Sequence, residues 1–111
     1  MSLPEDIAEA LGVKCSNYLS FEEFVKYLMC PSCCPTRLEK FMSREDAEEV
    51  FLSARCKEKF KDRTLISYQF NEGWMEFDLQ FDSDSRLRRL YIQHKQIEDD
   101  RGYEIKLKKV A

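Results

Sequence analysis

Hydrophobic residues in this chain change their spacing near the middle. Up to about residue 62 they recur every three or four positions, the period of a helix with one buried face. Beyond it they recur at every second position, the period of a strand with one wet face. In the first half, Ser2 and Glu5 stand at capping-box spacing and Pro4 suits a first helical turn. Ile7, Ala8 and Leu11 then share a face, and Gly12 is a natural stop. Ser20 and Glu23 open a second helix with the apolar stripe Phe21, Phe24, Val25 and Leu28, which Pro31 and Pro35 end. A short helical turn is expected over Leu38, Phe41 and Met42. Ser43 caps a third helix, with Glu45 and Asp46 in its first turn and Ala47, Val50, Phe51 and Ala54 as its buried stripe. Lys57, Lys59 and Lys61 fall toward its end, a polarity that suits the helix dipole.

In the second half, Ile66, Tyr68 and Phe70 alternate with polar residues, as do Met75, Phe77, Leu79 and Phe81. Leu90 and Ile92 follow, then Tyr103, Ile105 and Leu107. Turn-rich stretches at 71–73, 82–85 and 98–102 separate them. Keeping the apolar residues on one face pairs Phe70 with Met75, Tyr68 with Phe77, Phe77 with Ile92, Leu79 with Leu90, and Met75 with His94. It also pairs Ile92 with Ile105 and His94 with Tyr103. The expected fold is one α+β domain over 1–111. About three helices in residues 1–62 pack on one face of a four-stranded antiparallel meander in residues 63–111. In element order this resembles cystatin-like and NTF2-like domains, an outline that implies no activity.

Composition narrows the function classes. A formal charge of −3 over 111 residues lacks the basic footprint of a nucleic-acid binder. No apolar run reaches the length of a membrane span. Five cysteines, an odd number, without an N-terminal leader pattern fit a reducing compartment, and the expected location is cytoplasmic. No Gly-rich phosphate loop, nucleophile elbow or H-E-x-x-H pattern is present, and no catalytic residue is assigned.

The most reactive stretch is Cys30-Pro31-Ser32-Cys33-Cys34. Cys30 and Cys33 have the C-x-x-C spacing of a zinc or dithiol turn, and Cys15 and Cys56 are the residues that would complete a tetrahedron. A second C-x-x-C pair is missing. Cys30 also follows a helix, where the dipole raises a thiol pKa, so the expectation is packed or solvated thiols without a metal. Leu19 to Val25 resembles the exit of an EF-hand calcium loop, with Glu23 at the last position. The first, third and fifth positions would be Gly12, Lys14 and Ser16, however, and a lysine there repels the cation, so no calcium is expected. Ile7 to Val13 resembles the opening of a helix-turn-helix, but the helix that follows offers Glu22 and Glu23 to phosphates, so no nucleic acid is expected.

His94, expected between Met75 and Tyr103 on the inner face, lines any pocket between sheet and helices. Trp74 and Tyr91 are expected on the outer face, two strands apart, where exposed rings anchor partners. Asp82, Asp84, Asp99 and Asp100 read as solvated turn residues. The leading expectation is a non-catalytic protein-binding or regulatory module without a cofactor, engaging a protein partner or a second copy of itself. The alternatives are a cysteine-cluster zinc or thiol-redox protein and a small-ligand binder with its pocket between sheet and helices.

Overall fold

A computed structural model describes residues 4–13, 20–30, 35–51, 54–95, 97 and 101–107. Three helices come first, α1 (Pro4–Leu11), α2 (Phe21–Leu28) and α3 (Arg44–Val50). Five strands follow, β1 (Cys56–Lys59), β2 (Arg63–Gln69), β3 (Trp74–Phe81), β4 (Leu87–Gln93) and β5 (Tyr103–Ile105). The strands form one antiparallel sheet in the order β1-β2-β3-β4-β5.

Local signals set the helix ends. Gly12 has φ +77°; Val13 N–H donates to Ala8 O and Gly12 N–H to Glu9 O, the paired bonds of a glycine C-cap. A Cβ at Gly12 would collide with the Thr36 hydroxyl, which donates to Gly12 O. Ser20 Oγ accepts from Glu23 N–H at 3.2 Å and Ser43 Oγ from Asp46 N–H at 3.2 Å, so both expected caps form. The expected Ser2 cap, Pro31, Cys15, Cys33, Cys34, Asp99 and Asp100 lie outside the described residues.

The core is continuous. Phe24 and Leu28 of α2, Ile7, Ala8 and Leu11 of α1, and Ala47 of α3 with Phe51 just after it join the alternate residues Ile66, Tyr68, Met75, Phe77, Leu79, Leu90, Ile92 and Ile105 of the strands. Rings make the seam: Phe51 stands 5.0 Å from Phe77, and Phe70 lies 5.3 Å from Phe21 and 6.0 Å from Phe24. Each fully buried large side chain contributes roughly 1.5–3 kcal/mol of transfer free energy.

Four expectations change. The sheet has five strands, not four, because Cys56–Lys59 is an edge strand and not the end of the third helix. All four of its residues are exposed, so it carries no alternation to read. A charged strand of this kind is a common way of blunting a sheet edge. Second, Leu38, Phe41 and Met42 form no helical turn. Phe41 adopts φ +72°, its N–H donates to Leu87 O at 2.6 Å, and Met42 O accepts from Leu87 N–H. The segment thus lies along β4 beyond the reach of the short β5. Third, the β2–β3 register is two residues tighter than expected, with Tyr68 opposite Met75 and Ile66 opposite Phe77. Phe70 N–H closes the turn on Gly73 O. Fourth, β4–β5 shifts by two in the same way, with Leu90 opposite Ile105 and Ile92 opposite Tyr103. Gly102 fits there at φ +81°, where a Cβ would strike Ile92 O. Both shifts are even, so the same side chains stay buried. The expected pairs of Phe77 with Ile92 and of Leu79 with Leu90 are present.

Candidate functional site

Alternation along β3 puts Met75, Phe77, Leu79 and Phe81 in the core and presents Trp74, Glu76, Asp78 and Gln80 on the other face. Cross-strand register extends this outer face into rungs. Trp74 stands opposite Gln69. Glu76 stands between Ser67 and Gln93, with Cys56 beyond Ser67. The third rung crosses the whole sheet as Glu58, Leu65, Asp78, Tyr91 and Glu104. The last is Arg63, Gln80 and Arg89, with Phe60 next to Arg63.

Trp74 is 42% exposed, as expected of an outward residue beside a turn. Tyr91 is 8% exposed, so it is not the exposed ring that alternation suggests. It also lies on the strand next to Trp74, not two strands away. Its partner Asp78 is four residues along β3, which sets the two positions about 13 Å apart along the strand direction. The physical reason is the surroundings of Tyr91: Asp78 and Glu104 flank it on either side, and it helps floor a cavity of about 450 Å³. Arg63, Glu76, Asp78, Arg89, Gln93 and Arg101 line that cavity with it.

Charge on this face is uneven. Arg63 Nε lies 3.5 Å from Asp78 Oδ1 and its guanidinium 5.7 Å from the centre of the Phe60 ring. Burial and then the Asp78 carboxylate raise the Glu76 carboxyl above its ordinary range, partly offset by Arg63 and by a hydrogen bond with Ser67.

The other sequence candidates are not brought together here. His94 is 4% exposed, just past the end of β4, edge-on to Phe21 with ring centres 6.3 Å apart. Burial lowers its pKa. Tyr103 is opposite Ile92, not His94, so the expected pair does not form across the strands. The cavity that Tyr91 lines is on the outer face, and another lies beside α3. Cys30 is exposed just beyond α2 and Cys56 is exposed on the outer side of β1, its Sγ 3.9 Å from Glu58 Oε1. Among the described residues, no group of three histidine, cysteine or acidic side chains is placed to hold a metal ion. Glu23, the last residue of the EF-hand-like stretch, accepts from the Ser20 hydroxyl at 3.1 Å. Asp82 Oδ1 accepts from Asp84 and Arg86 N–H and so shapes its own turn.

One cluster had no counterpart in the sequence expectations. Arg44, in the first turn of α3, donates to the backbone oxygens of Phe60, Lys61 and Arg63 and to the Thr64 hydroxyl. Its guanidinium also lies 4.8 Å from the centre of the Phe81 ring. Glu48, one helical turn on, is buried. Its carboxylate accepts from Thr64 at 2.5 Å and pairs with Lys59 at 3.0 Å and Arg44 at 3.4 Å. Burial alone would raise this carboxyl, but the bonds from Thr64, Lys59 and Arg44 together hold it below its ordinary value. The i,i+4 spacing of Arg44 and Glu48 was visible in sequence. That the pair clamps the β1–β2 turn depends on β1, which was not.

No protein-family profile, no curated protein and no solved structure matches the chain. No helix of the described residues is long and apolar enough to cross a membrane.

Proposed function

We propose that the protein is a small cytoplasmic binding module without catalytic activity. In this proposal it engages a protein partner through the outer face of its sheet, and the three helices lie over the opposite, apolar face as a rigid backing. The observation that carries this is Trp74, 42% exposed on a sheet face that also bears a cavity and a row of charges. A large rigid ring in that position desolvates much area on contact at small entropic cost, which is why tryptophan dominates binding hot spots. Tyr27, Phe41 and Phe60 are exposed as well, but among the exposed rings of the described residues only Trp74 stands on a strand of the sheet.

The test is affinity capture with wild-type protein and the Trp74→Ser variant side by side, together with their unfolding midpoints. The expected result is a partner retained by the wild type and lost by the variant, with both chains equally stable. A variant that keeps every wild-type partner, or one that fails to fold, overturns the proposal. Free-thiol titration and elemental analysis of the same preparation separate it from a zinc or redox role for the cysteine cluster of Cys30, Cys33 and Cys34 with Cys15 and Cys56.

A further inference from the structure

The outer rungs have a polarity. At one end Trp74 and Glu76 form an aromatic and acidic step. Glu76 has neutral neighbours on both sides, Ser67 on β2 and Gln93 on β4. The charges that act on it are Asp78, Arg63 and Glu58, two of them repulsive. At the other end Arg63 and Arg89 flank neutral Gln80. Arg63 is drawn to Asp78, whereas Arg89 forms no ion pair among the described residues. The cavity of about 450 Å³ runs from Glu76 to Arg63, Gln80 and Arg89, with Arg101 and the buried Tyr91 also lining it.

We infer that this strip accepts one extended segment of a partner protein with a charge order reciprocal to its own. A lysine or arginine sits over Trp74 and Glu76, and a glutamate or aspartate sits over Arg89 and Arg63. The inference rests on the outer face being the binding face. The two ends are set by Glu76 and Gln80, four residues apart on β3, so the complementary charges lie about 13 Å apart, or four residues in an extended partner. The basic residue gains both a carboxylate and the face of an exposed indole, an arrangement that favours cations. The acidic residue gains the free fork of Arg89. A second copy of the chain fits less well. Laid face to face with opposite ends matched, it brings the third rung onto itself, Asp78 against Asp78 and Glu104 against Glu104. Like charges directly opposed are destabilising. Phosphate-rich partners meet the carboxylates of Glu58, Glu76, Asp78 and Glu104 on the same face.

Trp74 is the chain's one tryptophan, so its emission reads this strip directly. Synthetic extended peptides supply the probe. One carries lysine and glutamate four residues apart; the controls carry two lysines, two glutamates, or lysine and glutamate adjacent. At low ionic strength the spaced lysine–glutamate peptide is expected to give a saturable blue shift, with at least about fivefold tighter binding than any control. Glu76→Gln, which is isosteric, and Arg89→Gln, which removes the charge and shortens the side chain, should each weaken it by about tenfold, as expected for loss of a charge-assisted contact. Added salt should weaken it further. No saturable shift up to millimolar peptide overturns the inference, as does binding that is indifferent to both charge variants. If Trp74→Ser still loses its captured partner in that case, the outer face remains the binding face and only the charge order is wrong.

Discussion

The two faces of β3 are built from alternating residues of one strand, yet they obey different rules. Met75, Phe77 and Leu79 are fully buried, and Phe77 meets the Phe51 ring from the helical half. Trp74, Glu76, Asp78 and Gln80, one position away in each case, meet water, charge and a cavity. On the inner face a side chain is constrained by volume, because close packing leaves a deletion unfilled. On the outer face it is constrained by what it offers to something else. The same strand therefore carries stability on one side and, in the proposal above, recognition on the other.

The sharpest way to break that contrast is Phe77→Ala. Removing a fully buried ring should destabilise the protein by about 3–5 kcal/mol in urea unfolding. A loss under about 1 kcal/mol would mean that the strand faces are exchanged. Next comes Glu48→Ala, which leaves Arg44, Lys59 and Thr64 around an empty acceptor and should cost about 1–3 kcal/mol. The acid limb of the stability curve checks the same cluster. The Glu48 carboxyl is held below its ordinary 4.5 in the folded chain, so on acidification the unfolded chain takes up the proton first. Its stabilisation is present above that value and disappears as pH falls through the folded pKa. In Glu48→Gln the acid limb should be shallower, and an unchanged limb would show that the network is not coupled to folding.

His94 gives a smaller effect at milder pH. Its folded pKa lies below the ordinary 6.5 because the ring is buried, so between the two values only the unfolded chain is protonated. Stability should be complete above pH 6.5 and decline as pH falls below it, and His94→Gln should remove that segment of the profile. A profile identical in both chains from pH 7 to 5 would place His94 in contact with water. The smallest effect expected is that of Trp74→Ser on stability, within about 0.5 kcal/mol of the wild type, as for exposed positions without special contacts. A larger loss would move Trp74 to the core side of the comparison and withdraw it from the interface.

The sequence by itself determined the period of each half, the caps at Ser20 and Ser43, the stop at Gly12 and the identity of nearly every buried strand residue. These depend on neighbours within a few positions, or on an alternation that an even slip in register does not disturb. Tertiary structure decided what local pattern leaves open. Cys56–Lys59 became an edge strand because β2 offered free backbone groups and Arg44 held the turn between them, although its own residues resemble the basic end of a helix. Phe41 was drawn into a left-handed turn by Leu87, a residue far along the chain. Tyr91 points outward, as its position dictates, but is covered by its neighbours, so period assigned its face and not its exposure. The candidate site divides in the same way. Trp74 was legible as an outward ring, whereas the rungs that place Glu76 and Arg89 at opposite ends of one strip follow from register, which only the assembled sheet sets.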